Sequence, residues 1–200
     1  KLRIQLPRPH SDNIHPSFKY WFYMDLFCVI EWAKTLDFFR SLDLYDQRAL
    51  IVFSAWQISF LTASHFSYLE GSERMALPDG TFSVWCPPEA KADVIRPMFD
   101  LQIDWTEYLL LKSLVICNPS CGNISEHART IMQIERQKLS KLLFEHCMEN
   151  YGRMRGPSRF GEIIALETTL LHQAQRGKHL QSLLVTLNLR PMKIVLVDEI

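Results

Sequence analysis

The sequence lacks an excess of charge of either sign, since its 200 residues include 22 basic and 22 acidic side chains. A surface that binds nucleic acid through its phosphates needs basic residues in excess on one face. The formal net charge of zero therefore predicts no nucleic-acid binding through this segment. With 48% hydrophobic residues, the chain instead has enough apolar material for one domain with a large core.

Motifs for catalysis and metal binding are also missing. No GxSxG motif and no glycine-rich phosphate loop occurs, so we expect no enzymatic activity. The 5 cysteines are odd in number and lie mostly in apolar runs, which is typical of reduced thiols that pack as small hydrophobes. Cys117, Cys121 and His127 lie close in sequence, but zinc needs a fourth ligand and usually more tightly spaced pairs. We therefore expect no metal site and no required cofactor.

The first apolar run of the chain does not predict a membrane span. The apolar segment from Trp21 to Ala33 is too short to cross a bilayer, and it contains Asp25 and Glu31. The N-terminal residues do not resemble a signal peptide. The chain starts at Lys1 without a methionine and stops inside an apolar run, so we interpret it as part of a longer protein.

Two consecutive segments predict helices that are apolar on almost every side. The first covers residues 18–39 and the second residues 46–66, with Asp46 as the expected N-cap of the second. A helix that is apolar all round lies between other helices. This pattern predicts a layered, all-α domain.

The second half of the chain predicts a hairpin and further helices. The turn signal in LPDGTF indicates a small β-hairpin within residues 67–89. In DWTE, Asp104 and Glu107 have the spacing of a capping box that opens a helix. A last long helix is expected over residues 158–187, with Pro157 at its start.

Several of these segments resemble a known family. The stretch EWAKTLDFFRSLDLYDQRAL resembles the signature of nuclear-receptor ligand-binding domains, with WAK, a Phe five residues after the Lys, a Leu and then DQ. DWTEYLLLKSLVICNP is similar to the family's eighth helix, SRFGEIIALETTLLHQAQ to its tenth and LVDEI to its C-terminal activation helix. These motifs follow the family's order over residues 18–200. The core and the LPDGTF hairpin most resemble the nematode orphan receptors related to the hepatocyte nuclear factor group.

The resemblance implies the overall architecture of the domain. Residues 1–200 would form a single ligand-binding domain, a three-layer antiparallel α-helical sandwich with a small β-hairpin. An apolar pocket would lie inside, residues 18–39 would be the central helix, and the activation helix would cover residues 192–200. A helix of that length is marginal by itself, so a ligand or partner would set its position.

The family also implies a surface groove for an amphipathic LxxLL-type helix of a coactivator or corepressor. Lys34 would cap the C-terminal carbonyls of the docked helix, and Glu199 would cap its N-terminus. Arg48 stands where the family commonly has an apolar residue, and Val52 where it commonly has Lys or Arg. Because residues i and i+4 share a helix face, this exchange predicts an altered peptide preference. The groove would comprise Phe27, Ile30, Lys34, Gln47, Arg48, Ile51, Val52, Leu196 and Glu199.

The internal pocket of the family suggests two alternatives for this chain. Acid-binding members carry an Arg at the position of Phe66, and the next Arg here is Arg74, so no acid clamp is expected. The wall would be aromatic or soft, suited to a neutral lipid or sterol-like ligand, or else filled by its own side chains. The first alternative is a ligand-regulated receptor; the second is a ligand-independent module that binds a corepressor or dimer partner. The pocket residues would be Met24, Phe27, Cys28, Phe60, Ser64 and His65.

The resemblance further implies an ion pair and a dimer interface. Glu107 and Arg159 stand at helix starts that are adjacent in the family fold, so we expect a partly buried ion pair. A homodimer, or a heterodimer with another nuclear receptor, would use the last helix through Ile164, Leu170, Leu171 and Gln175. The family implies a nuclear transcription regulator whose zinc-bearing DNA-binding domain lies outside these residues.

Overall fold

The computed structural model describes residues 21–77, 82 and 94–186. Within these residues the secondary structure is helical, apart from one isolated antiparallel bridge between Ala76 and Phe82. The all-α prediction is confirmed, and of the hairpin expected in residues 67–89 the described part shows only this bridge. The helices are α1 (Trp21–Ala33), α2 (Asp37–Arg40), α3 (Leu44–Leu69), α4 (Ile95–Leu101), α5 (Trp105–Ile116) and α6 (Glu126–Thr186).

The helix predicted over residues 18–39 is interrupted. The helix α1 ends at Ala33, and Leu36 has an extended backbone (φ −85°, ψ 125°) before the single turn of α2. The Thr35 hydroxyl donates to the carbonyl of Trp32 at 2.6 Å, which provides a partner for a carbonyl at the helix end. Lys34 therefore follows the last residue of α1. Residues 18–20 lie outside the described part of the chain.

The start of α3 corrects the cap predicted at Asp46. Asp43 is the N-cap, because its carboxylate accepts from the N–H of Asp46 at 2.8 Å. The carboxylate of Asp46 is buried and points to another element, where it accepts from the N–H and the hydroxyl of Ser125, both at 2.7 Å. Since Ser125 precedes the first residue of α6, Asp46 fixes the start of α6 against the start of α3.

The helix α3 runs through the centre of the domain. It packs against α1, α4, α5 and α6, and Trp56, Ile58 and Leu61 on it have no exposed surface (each 0%). By length and composition α3 is apolar enough to cross a membrane, but 67% of its apolar stretch is buried within the domain. The predicted central helix, buried on all sides, accounts for this composition.

The helix predicted over residues 158–187 is part of a longer element. The helix α6 bends at Gly152, which has a φ of 70°, a backbone conformation that glycine adopts without steric cost. We call residues 126–151 the first arm and residues 153–186 the second arm. The second arm starts before Pro157, which lies inside the helix and not at its start.

The two arms of α6 are tied to each other and to α5. The guanidinium of Arg136 on the first arm donates to the carbonyl of Leu114 at 2.8 Å and to the carboxylate of Glu167 on the second arm at 2.6 Å. A cation at the C-terminal end of a helix also interacts favourably with the helix dipole. Arg136 thus stabilises the end of α5 and the angle between the arms.

A charged cluster lies between α1 and α5. The ammonium of Lys112 lies 4.5 Å from the ring centroid of Trp32, and burial lowers its pKa. Burial raises the pKa of Asp25 to about 7, although the positive charge of Lys112 acts in the opposite direction. Asp25 is thus partly protonated at neutral pH.

The contact between α3 and the second arm depends on a glycine. A Cβ atom at Gly177 would lie 2.6 Å from Cζ3 of Trp56 and 3.0 Å from Cε2 of Phe60. The two aromatic rings therefore occupy the space that any other residue at this position would need.

Replacing Gly177 by alanine should destabilise the domain. Because the Trp56 ring is buried and has little room to move, Gly177→Ala is expected to lower the free energy of unfolding by about 1 to 3 kcal/mol. The matched control is Gly161→Ala on the same arm, where an added Cβ meets nothing within 4 Å. There we expect no loss, or a gain of up to about 1 kcal/mol from helix propensity. Urea denaturation measures both, and equal losses in the two variants would contradict this packing.

Asp25 should make the domain less stable as the pH rises. Its pKa of about 7 in the folded chain exceeds its ordinary value of 3.8, so between about pH 4 and 7 the unfolded chain releases a proton that the folded chain keeps. The free energy of unfolding should fall across this window by roughly 2 to 4 kcal/mol. Asp25→Asn should remove this fall, leaving the variant more stable than the parent at pH 7 and similar at pH 4.

Denaturation curves between pH 4 and 8 test this dependence on pH. The control is Asp37→Asn, whose side chain is 93% exposed and faces Arg40 in α2, and it should follow the parent chain. If Asp25→Asn also ran parallel to the parent at every pH, the assignment of the titrating group would be wrong.

Candidate functional site

One face of α1 is apolar and open to solvent. The spacing of Phe27, Ile30 and Lys34 places them on the same side of the helix, as predicted. Phe27 is 61% exposed, Ile30 is half-buried against the core, and Lys34 is exposed. We call these three residues the α1 face. It combines an exposed apolar surface with a cation at the end of the helix.

The charge of Lys34 is balanced by a neighbour on the same helix. Its ammonium lies 2.6 Å from the carboxylate of Glu31, and both side chains are more than half exposed (53% and 71%). An exposed pair three residues apart contributes little to stability. The pair can therefore open at low cost when another acceptor approaches Lys34.

The residues predicted on α3 do not form one wall with the α1 face. Ile51 is 5% exposed and belongs to the core, so little of its side chain is open to a docked peptide. The side-chain amide of Gln47 donates to the carbonyl of Leu42 at 2.9 Å and stabilises the turn before α3. Arg48 and Val52 line a surface cavity that contains no residue of α1. The last two predicted groove residues, Leu196 and Glu199, lie outside the described part of the chain.

The predicted pocket residues on α3 are buried. Phe60 is 5% exposed, Ser64 0% and His65 4%. The ring of His65 stacks on that of Tyr108, with centroids 3.8 Å apart, and burial and the charge of Lys112 lower the pKa of His65. His65 thus packs against α5 with its neutral form favoured, while the buried hydroxyl of Ser64 has no hydrogen-bond partner among the described residues.

The predicted pocket residues on α1 need correction. This helix turns Leu26 and Val29 into the core, so the intervening Phe27 and Cys28 point outward, and both are exposed. They do not line a closed internal pocket. Met24 is half-buried. The spacing of the apolar residues could not separate the inner from the outer side, because both are apolar.

Two residues that the sequence did not single out resemble Ser64 in having buried polar atoms. The hydroxyl of Ser59 and both side-chain amide atoms of Gln173 are buried without a hydrogen-bond partner in the part of the chain that the structure describes. They lie on α3 and on the second arm, the two helices that meet at Gly177. Buried polar atoms are normally paired with protein, water or a ligand. No sequence signal marked these residues, because their lack of partners depends on tertiary packing.

Glu107 and Arg159 form the expected ion pair, and both are more deeply buried than predicted (0% and 2% exposed). The pair is bidentate, with Nε to Oε1 at 2.7 Å and Nη2 to Oε2 at 2.5 Å. Arg159 also donates to the carbonyl of Leu101 and lies 4.7 Å from the ring centroid of Tyr151. Although burial by itself would lower the pKa of Arg159, its bonds to Glu107 raise it.

The same region brings three metal-ligand side chains together. Ligand atoms of Asp104, Glu107 and His146 lie within 4.8 Å of one another. Glu107 already binds the guanidinium of Arg159, and Asp104 accepts from the N–H of Glu107 in the predicted capping box. His146 lies 2.7 Å from Asp104. Because the guanidinium of Arg159 already binds the carboxylate of Glu107, the cluster positions helices rather than holding a metal.

The predicted dimer residues divide between core and surface. Leu170 has no exposed surface and Ile164 packs against the core, so Leu170 cannot contact a partner chain. Leu171 is 38% exposed and Gln175 is exposed. Leu171 and Gln175 therefore remain available on the surface of the second arm, and Ile164 remains partly available.

Comparison with known proteins gives matches to a family model, to relatives in sequence and to a solved structure. The family described as "Ligand-binding domain of nuclear hormone receptor" matches residues 87–182. Nuclear hormone receptor family member nhr-60 of Caenorhabditis elegans is 33% identical over 179 residues, which cover 88% of this chain and 39% of the relative. Member nhr-136 of the same organism is 28% identical over 181 residues, which cover 84% of this chain and 41% of the relative. The chain thus spans about two fifths of the length of these relatives.

A solved structure shares the fold. The Ultraspiracle ligand-binding domain from Drosophila melanogaster superposes with a TM-score of 0.72 over 93% of this chain and 82% of that domain, at 19% sequence identity. At this identity the likeness establishes the three-layer helical fold alone. Together, the family match, the relatives and the shared fold show that this chain contains a nuclear hormone receptor ligand-binding domain.

Proposed function

We propose that the chain is the regulatory domain of a transcription factor that acts in the nucleus and docks an LxxLL-type helix of a coactivator or corepressor on the α1 face. The observation that carries this proposal is the exposure of Phe27 beside Lys34 at the end of α1. An amphipathic helix would bury its leucines against Phe27 and Ile30 and direct its C-terminal carbonyls at Lys34.

The electrostatics of Lys34 support this role. Its pairing with Glu31 is exposed, so the ammonium can exchange that carboxylate for the carbonyls at the end of a docked helix. Glu199 would cap the other end of the peptide, as the family resemblance implies. Arg48 and Val52 line a different cavity, so the α3 side of the docking surface differs from the family pattern and favours other peptide sequences.

Two features support opposite states of the internal pocket. The buried hydroxyls of Ser59 and Ser64 and the amide of Gln173 lack partners within the described ranges, which favours a neutral lipid or sterol-like ligand with one or two polar groups. The close contact of Gly177 with Trp56 favours the alternative, an interaction module whose pocket is filled by its own side chains. We favour the ligand, because unpaired buried polar atoms are costly unless something binds them.

Dimerisation and subgroup are further parts of the proposal. Leu171 and Gln175 on the second arm would contribute to a homodimer or to a heterodimer with another nuclear receptor. The relatives in Caenorhabditis elegans favour the nematode receptors as the subgroup. A relation to the hepatocyte nuclear factor group stays a prediction from the sequence.

Removing the charge of Lys34 should weaken peptide docking. Lys34→Ala is expected to raise the Kd for a fluorescent LxxLL peptide roughly tenfold, because the carbonyls of the docked helix lose their cation. Glu199→Ala should have a similar effect. The matched control is Lys138→Ala, since Lys138 is 61% exposed and forms the same kind of pair, 2.6 Å from Glu135 three residues away.

Fluorescence anisotropy with coactivator and corepressor peptides measures these affinities. If Lys34→Ala and Glu199→Ala bound the peptides as tightly as the control, the docking surface would lie elsewhere.

A ligand in the interior should be retained during purification. Native mass spectrometry of the domain is expected to show an added mass that solvent extraction identifies as a neutral lipid. Ser64→Ala should lower its occupancy, whereas Ser54→Ala should not, because the Ser54 hydroxyl already donates to the carbonyl of Leu50 at 2.7 Å. A domain without added mass that still binds peptides through Lys34 would establish the self-filled alternative.

A further inference from the structure

A surface cavity of about 380 Å³ lies beside the start of α3. Its walls come from three parts of the chain: α3, the connection between α5 and α6, and the second arm of α6. The volume falls in the range of small-molecule sites in proteins. Nine residues line it, among them Arg48, Val52, Phe53, Gly122, Asn123 and Lys178.

The lining has a consistent chemical character. Arg48 and Lys178 supply two cationic groups, and none of the nine lining residues is acidic. Val52 and Phe53 supply an apolar wall on α3, and both are partly exposed. Such a combination suits a ligand that has a negative charge at one end and an apolar body.

Among the lining residues, Lys178 has the charge that a bound anion would stabilise most. It is half-buried, and its ammonium has no hydrogen bond or ion pair with any residue in the described ranges 21–77, 82 and 94–186. Burial lowers its pKa, because the charged form is desolvated and no carboxylate of the described residues pairs with it. An anion beside Lys178 would provide that compensation.

We propose that this cavity binds a small amphipathic anion, namely a carboxylate with a short apolar tail. The carboxylate contacts the ammonium of Lys178, with the guanidinium of Arg48 contributing to the positive potential, and the tail packs on Val52 and Phe53. The site is separate from the α1 face and from the interior at Ser59, Ser64 and Gln173, none of which lines it. It does not depend on the docking proposal, and neither result decides the other.

Titration of the ¹⁵N-labelled domain with sodium octanoate tests the site. The amide signals of Gly122 and Asn123 should shift with saturation, whereas 1-octanol, which has the same tail without the charge, should leave them nearly unchanged. Lys178→Gln should weaken octanoate binding roughly tenfold, and Lys178→Arg should restore it to within about threefold of the parent. Lys138→Gln, on the exposed side of the first arm, is the matched control and should change nothing.

Thermal unfolding and a second variant distinguish a loss of binding from a folding defect. Since Lys178 has no described side-chain bond to lose, the Gln variant should keep the thermal unfolding of the parent. Val52→Glu places a carboxylate in the same wall from another helix and should also prevent binding. The proposal is overturned if octanoate binds Lys178→Gln as tightly as the parent, or if the shifts occur at Phe60 and Ser64 and not at Gly122 and Asn123.

Discussion

The arrangement of helices depends on the buried ion pair between Glu107 and Arg159. Glu107 belongs to the first turn of α5, and Arg159 belongs to the second arm of α6. Arg159 also donates to the carbonyl of Leu101, the last residue of α4. One guanidinium therefore fixes three helix ends at one point. Loss of either partner would leave a buried charge without compensation, which is much more costly than the loss of an exposed pair.

Much of the fold could be predicted from sequence because it follows from local signals. The apolar composition of α3 predicts burial on all sides, and Asp104 and Glu107 have the spacing of the capping box that the structure contains. The end of α1 could not be predicted, since no glycine or proline marks it and the turn at Leu36 depends on packing. The choice between Asp43 and Asp46 as cap was equally undetermined. Both are acidic residues near the helix start, and only the distant Ser125 decides the role of Asp46.

The candidate site was predictable only where its residues share one helix. The spacing of Phe27, Ile30 and Lys34 is enough to place them on one face. The α3 residues were harder, because Ile51 is one position from Val52 and yet points into the core, and an all-apolar helix gives no indication of which side faces outward. Ser59, Gln173 and Lys178 are significant because their side chains find no partner among the described residues, which no local pattern can reveal.

The bond from Asp46 to Ser125 has a consequence for recognition. It fixes the start of α3, which follows the turn that leads from the α1 face and is directly followed by Arg48 at the proposed anion site. The conformational entropy of this corner is therefore lost when the domain folds, and a docking helix or a small anion would meet a surface that is already ordered. Preorganisation of this kind raises affinity without any added contact, because the ordering cost no longer opposes binding. The carboxylate of Asp46 would in this way affect the affinity of the domain for a ligand or peptide that it does not itself contact.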